Sequence, residues 1–404
     1  MKKSLALLVA LLATLALMPA LAQQELAGDG SRRSTPKFHR KGARAIPNQY
    51  IVVLDQDAVG VSGDFAAAVR ETDSVLAALG RAPDHVFAHA INGFSATMTE
   101  HEAIALSEDP RVAFVEEDQI MEAVITQTNP PWGLDRIGQR DLPLNQTYSY
   151  TTTGAGVHAY IIDTGIRSTH TQFSGRMGNG AGFVSDGQGT NDCNGHGTHV
   201  AGTVGGTTYG VAKQVTLHAV RVLSCSGFGS NSGVIAGVNW VTANRIRPAV
   251  ANMSLGGGVS TALDNAVVNS INSGVTYAVA AGNSNTNAAN SSPARVAAAI
   301  TVGSSTQTDA RSSFSNFGSV VDIFAPGSNI LSAWRTSNTA TATLSGTSMA
   351  TPHVAGVAAR VLQNNPGASA ATVRNEIVNT ATLNHLSGIP TGTANRLLFR
   401  SSAQ

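Results

Sequence analysis

Three stretches set acidic, basic and nucleophilic side chains beside glycine-marked turns: "AYIIDTGI" (159–166), "DCNGHGTHVAGT" (192–203) and "LSGTSMATPHVAGVAA" (344–359). Asp163 closes an apolar run and opens an Asp-Thr-Gly turn, a setting that two hydrolytic chemistries use. Two carboxylates sharing one proton would need a second Asp-Thr-Gly or Asp-Ser-Gly after another apolar run. The chain contains none, and a half-site completed by dimerisation would leave most of its length without a task. The alternative is nucleophilic. A serine hydroxyl attacks weakly until a base takes its proton, and a histidine base needs a carboxylate to fix its tautomer and stabilise the imidazolium. Asp163, His196 and Ser348 supply those three groups.

The surroundings of Ser348 narrow the chemistry. "GTSMA" lacks the second glycine of the Gly-x-Ser-x-Gly elbow, which disfavours a lipase-like hydrolase, and the order Asp, His, Ser is the subtilisin order. Ser348 is expected to open a helix, where unpaired N–H groups and the helix dipole favour negative charge. Pro352 is expected within the tolerant first turn of that helix. A tetrahedral intermediate calls for a second donor, and Asn283 in "AVAAGN" is the candidate, although a plain Gly-Asn turn would look the same. His196 and His199 lie three apart and could flank a metal. The stretch lacks the glutamate and spacing of His-Glu-x-x-His, so His199 and His353 are read as structural.

These residues need positioning elements. From about residue 157 onward, "VHAYIID", "VTLHAVRVL", "VANMSL", "VTYAVAAGN" and "AAITVGS" alternate with "GVIAGVNWVTANR", "ALDNAVVNSINS" and "SMATPHVAGVAARVLQNN". This predicts an α/β domain with a mostly parallel sheet and helices on both faces. Ligands of such sheets sit outside the carboxyl ends of the strands, where Asp163 and Asn283 both fall. Ahead of it, "QYIVVLD", "DFAAAVRETDSVLAAL", "HVFAHAINGFSATMT", "EHEAIALSED" and "RVAFVEED" give a βαββαβ order. That order predicts a small α+β domain of ferredoxin-like topology.

"MKKSLALLVALLATLALMPALAQQ" carries two lysines, an apolar run shorter than the ~20 residues of a spanning helix, and an Ala-Leu-Ala exit. It reads as a signal peptide to Ala22, so the protein is expected outside the cell. Residues 23–46, polar and basic, are expected to be a linker. The small domain is expected over 47–124 and the larger over 125–404. Export makes Cys193 and Cys225 candidates for a disulfide, worth roughly 3 to 4 kcal/mol for a loop of about thirty residues. With a net charge of +1 and no later long apolar run, the chain is expected to engage neither nucleic acid nor membrane. A monomer is expected.

"YIIDTGI", "NGHGTHVAGT", "VANMSLGGG", "AVAAGN" and "GTSMATPHVAGVAA" resemble the subtilisin-like serine peptidases, specifically the aqualysin-like enzymes of the proteinase K branch. The resemblance runs from about Trp132 to Leu398, and about Gln49 to Met121 is similar to the family's inhibitory propeptide, an intramolecular chaperone. It implies a broad-specificity secreted endopeptidase acting on polypeptides through an acyl-enzyme and made as a self-processing precursor. Asp163 would orient His196, His196 would be base then acid, Ser348 would attack, and Asn283 would hold the oxyanion. The backbone of Ser254, Leu255, Gly256 and Gly257 would pair with the peptide, Ala280, Ala281 and Gly282 would wall the primary pocket, and the stretch from Gly227 through Phe228 to Gly229 would flank the far side. The pocket's small, uncharged lining implies aromatic or apolar side chains before the cut.

The resemblance places the Cys193–Cys225 disulfide beside the histidine motif. A second family disulfide would have its cysteines where Ala289 and Val320 stand. The resemblance also implies structural Ca²⁺ on the carboxylate of Asp322 with the carbonyls of Ala297 and Ala299, since hard oxygen ligands suit that ion. At a second calcium site Asp135 remains, but Gly138 replaces a carboxylate.

Overall fold

The computed structural model describes residues 37–42, 45–59, 64–121 and 124–402. The expected signal peptide, and the expected linker as far as Pro36, lie outside them. The chain forms two compact units that meet between Met121 and Glu122.

In the N-terminal unit, β1 (Phe38–His39), β2 (Ala45–Leu54), β3 (His85–Phe87), β4 (Gly93–Thr97) and β5 (Val112–Gln119) form one sheet in the order β1-β5-β2-β4-β3. A short α1 (Gln56–Val59) follows β2, and α2 (Phe65–Leu76) and α3 (Glu100–Ser107) make the two crossings. β2, β4 and β5 are antiparallel, as the ferredoxin-like reading requires. Both longer helices begin on sequence-encoded caps. Asp64 accepts the N–H groups of Ala66 and Ala67, and Thr99 with Glu102 forms a reciprocal capping box. Val52, Phe94, Leu76 and Leu106 build the core.

The linker expectation fails over its last residues. Phe38 and His39 pair in parallel with Val115 and Glu116, and β2 already starts at Ala45. Phe38 packs against Tyr50 at 6.0 Å between ring centroids, while Lys37 Nζ donates to the Val112 carbonyl at 2.6 Å. A two-residue strand inside a basic run has no alternating pattern to betray it.

The C-terminal unit opens with β6 (Ile125–Thr128), α4 (Trp132–Ile137) and β7 (Thr147–Tyr150), β6 and β7 being paired antiparallel. Then come β8 (His158–Asp163), β9 (Ala181–Gly182), α5 (His196–Gly205), β10 (Thr216–Arg221), α6 (Asn231–Asn244) and β11 (Ala249–Met253). Next are β12 (Gly257–Gly258), α7 (Thr261–Asn272), β13 (Val275–Ala280), β14 (Ser291–Ser292), β15 (Ile300–Ser305) and β16 (Ile323–Pro326). The chain ends through β17 (Ile330–Ala333), β18 (Thr341–Leu344), α8 (Thr347–Asn364), α9 (Ala370–Thr380), β19 (Thr382–Leu383) and β20 (Arg396–Leu397).

Nine strands join in the order β19-β20-β16-β15-β13-β11-β8-β10-β9, parallel except for β19 against β20. Their side chains alternate between two cores. Ala159 and Ile161 of β8 face the cluster holding α5 and α8, whereas Tyr160 and Ile162 face the one holding α6 and α7. Burial on both faces explains why these strands read as continuous apolar runs. β8 has β10 on one side and β11 on the other, so the strand order reverses at β8 and opens a crevice at its carboxyl end. Asp163 is its last residue.

Candidate active site

Asp163 is fully buried and its Oδ1 accepts from His196 Nδ1 at 2.7 Å and from the Thr164 N–H at 2.7 Å. His196 is the first residue of α5, with about a quarter of its side chain exposed. Gly195 holds the turn into α5 at φ +115°, where a Cβ would also lie 2.5 Å from the Trp334 ring; only glycine suits such a position. Burial pushes the His196 pKa down, but the charge and hydrogen bond of Asp163, aided by Asp192, outweigh it and raise the pKa above the usual histidine value.

Ser348 is the second residue of α8. The Thr347 N–H donates to Asn283 Oδ1 at 2.8 Å, and the Met349 and Ala350 N–H groups reach the Gly346 carbonyl. The Ser348 N–H thus remains available among the orphan donors of a helix start. Pro352 lies in the second turn, not the first as expected. Its missing N–H would have bonded the Ser348 carbonyl, and that carbonyl instead accepts the Ser254 hydroxyl at 2.8 Å. The Ser348 hydroxyl donates to the Ser254 carbonyl at 3.1 Å rather than to His196.

Asn283 is exposed, three residues beyond β13. Its Oδ1 accepts from both the N–H and the Oγ1 of Thr347, each at 2.8 Å. Fixing the oxygen inward fixes the amide donor outward, into a cavity of about 320 Å³ that Ser348, Ala281, Gly282, Leu255 and Gly256 also line. A neighbouring cavity of about 310 Å³ is lined by His196, Gly227, Phe228, Gly229, Ser254 and Leu255, among others. All seven residues predicted to bind substrate therefore border one cavity or both. Gly257 is already paired with Ser292 of β14, which leaves Ser254 to Gly256 as the open edge.

A profile described as the subtilase family matches residues 154–398, more than half of the chain, and one described as peptidase inhibitor I9 matches residues 49–123. The chain belongs to the subtilase family. It is a serine peptidase made as a precursor with its own inhibitor domain. It is 51% identical over 386 residues to an extracellular serine proteinase of Thermus sp. (strain Rt41A), covering 91% of this chain and 93% of that one. With alkaline serine exoprotease A of Vibrio alginolyticus it shares 52% over 364 residues, 88% of this chain and 68% of the relative. The crystal structure of a cold adapted subtilisin-like serine proteinase matches with a TM-score of 0.66 and 57% identity, over 67% of this chain and 98% of that one.

Cys193 and Cys225 form a disulfide with Cα atoms 4.9 Å apart, bracing the loop ahead of α5. His199 and His353 are held by backbone carbonyls away from His196. His199 Nε2 lies 2.9 Å from the Ile330 carbonyl, and His353 Nδ1 lies 3.0 Å from the Met349 carbonyl.

Structural calcium is general among subtilases, but the residues expected to hold it here do not fit the ion. Each oxygen of the Asp322 carboxylate already has a protein donor: Oδ1 accepts from Arg374 Nη2 and Oδ2 accepts the Thr301 N–H at 2.8 Å. Ala297 is exposed and Ala299 buried, and neither adds charge. A calcium ion takes six to eight oxygen ligands and at Oδ1 would meet the charge of the guanidinium. At the second site Asp135 is buried, its Oδ2 accepts the Gln146 N–H at 2.8 Å and its Oδ1 has no hydrogen-bond partner among the described residues, but Gly138 brings no carboxylate beside it.

Sequence reasoning gave no role to Asp192 or Thr347, and named Phe228 only as part of the 227–229 stretch. Asp192, buried, accepts Thr164 Oγ1 and the Asn194 and Gly195 N–H groups on Oδ1, and the N–H and hydroxyl of Thr198 on Oδ2. It ties the Asp163 turn to the start of α5; an Asp shortly before a helix is a recognisable capping signal. Thr347 anchors Asn283, and Phe228, 79% exposed between two glycines, borders the cavity beside His196. Nothing in the local sequence marks the anchoring role of Thr347.

Proposed function

We propose that Asp163, His196 and Ser348 are the catalytic triad of a secreted endopeptidase and that Asn283 and the Ser348 N–H form its oxyanion hole. The carrying observation is the 2.7 Å bond from His196 to a fully buried Asp163. With Nδ1–H committed to that carboxylate, Nε2 is left as the basic nitrogen. On substrate binding the Ser348 hydroxyl turns from the Ser254 carbonyl to Nε2; such contacts tighten only in the complex. Oγ then attacks the scissile carbonyl carbon while its proton passes to Nε2. The carbonyl π pair moves onto oxygen, which the Ser348 N–H and Asn283 Nδ2 stabilise, each donor being worth roughly 3 to 4 kcal/mol. Collapse breaks the C–N bond, His196 protonates the departing amine, and water repeats the sequence to release the acid and restore Ser348.

Substrate lies along the open edge of Ser254, Leu255 and Gly256, opposite Gly227 and Gly229, in the manner of an added strand. Ala281 and Gly282 wall the pocket for the residue before the cut, and their small side chains leave room for an aromatic or apolar group. The precursor is exported by a signal peptide ending at Ala22, its inhibitory domain runs to about Val124, and Ser348 makes the releasing cut. A serine-directed sulfonyl fluoride tests the assignment. Mass spectrometry should place one label on Ser348 and none in His196→Ala; labelling elsewhere, or undiminished labelling without His196, would sink it.

A further inference from the structure

Asp322 precedes β16 and lies beside Thr301 of β15, and its side chain is about 10% exposed. Arg374 reaches it from α9, and Arg396 of β20 adds a second positive charge to its field. One carboxylate therefore pairs with one guanidinium and feels the charge of a second without pairing with it. Arg374 also lines the same cavity, about 500 Å³, as Ala297. We propose that the Arg374 guanidinium is the resident cation of the Asp322 site and stands in for calcium there, tying α9 to the sheet as a metal would tie the 297–299 loop.

The physical grounds are occupancy and charge. The Arg374 guanidinium on Oδ1 and the Thr301 N–H on Oδ2 take two of the carboxylate's lone-pair sites, and a dication drawn to Oδ1 would lie against the guanidinium's positive charge. A dication entering a site whose one carboxylate is already paired with a guanidinium finds no net negative charge, whereas calcium affinity rises with the count of ligand charge. An arginine is charged at every relevant pH and its donors match a carboxylate geometrically, so this cation cannot be removed by a chelator.

The test reads stability rather than turnover and is independent of the catalytic assignment. The secreted protein is inactivated with a sulfonyl fluoride to prevent self-digestion. Its melting temperature is then compared in calcium and in chelator, for wild type and Asp322→Asn. The variant should lose the same number of degrees in both conditions, leaving the calcium-to-chelator gap as in wild type. A gap that shrinks in Asp322→Asn would show calcium bound to that carboxylate and overturn the proposal. Should that variant not accumulate, Arg374→Ala serves: freed of its competitor, Asp322 should accept calcium and widen the gap beyond the wild-type value. An unchanged gap in Arg374→Ala would overturn the claim that the arginine fills the ion's place.

Discussion

Replacing Asp192 by Asn removes one charge from the centre of the site while preserving shape. The best orientation keeps the amide oxygen towards the three donors Thr164 Oγ1, Asn194 N–H and Gly195 N–H, now at 2.9, 3.0 and 2.7 Å. The amide NH₂ must then face the Thr198 N–H, which stands 2.9 Å from Oδ2. A donor meets a donor. An unsatisfied buried N–H costs about 1 to 3 kcal/mol, and hydrogen bonds to a charged acceptor outweigh neutral ones by about 1 kcal/mol each. Together these predict a loss of roughly 3 to 5 kcal/mol, or on the order of 10 °C in melting temperature for a domain of this size. The catalytic signature is separate. Asp192 helps to raise the His196 pKa, so the variant's imidazole should stay neutral to lower pH. The acid limb of kcat/KM should move down in pH even as the plateau falls. Thermal unfolding of the inactivated protein and a pH–rate profile give both readings. An unmoved melting temperature with an unmoved limb, or a limb displaced upwards, would refute the positioning role.

Asn283→Ala should lower kcat by about 10²- to 10³-fold with little change in KM; a loss confined to KM would argue for a binding role. Burial depresses the pKa values of His199, His218 and His353 to about 4 each, so below pH 6.5 the unfolded chain takes up protons that the folded protein refuses. Unfolding free energy should therefore fall as pH drops from about 6.5 to about 4, by up to ~1.4 kcal/mol per pH unit for each histidine, and chemical denaturation across that window checks it. Phe228→Ser should cut kcat/KM about tenfold or more for peptides whose apolar residue fills the Leu223–Val234–Leu263 cavity; an equal effect on peptides too short to reach it would contradict that placement. N-terminal sequencing of the secreted protein should find a start near Ile125 in wild type and an uncut precursor in Ser348→Ala. A cut alanine variant, made without other proteases, would exclude self-processing.

The framework was legible because its signals are local and redundant. β8, β10, β11, β13 and β15 are apolar runs broken by turn residues, and Asp64 and Thr99 announce α2 and α3 with caps. The residues of the proposed triad stand out for a related reason: each sits where a strand ends or a helix begins, inside its own motif. The Phe38–His39 strand does not, because its stability comes from Tyr50 and Val115 rather than from its own pattern. Pro352 was placed one turn too early, since helix ends follow from hydrogen bonds that sequence leaves uncertain.

By itself the sequence determined the order of the main elements and singled out Asp163, His196, Ser348 and Asn283 as the candidates for chemistry at strand and helix ends. Each follows from local pattern or from residue chemistry that few arrangements can use. Tertiary structure alone decided what depends on partners far along the chain. Ser254 takes the carbonyl that Pro352 frees 98 residues later, Thr347 aims Asn283, and Arg374 claims Asp322 from 52 residues away. A short motif cannot encode such pairings. They exist only once folding has brought both partners into a place where water no longer competes for their hydrogen bonds.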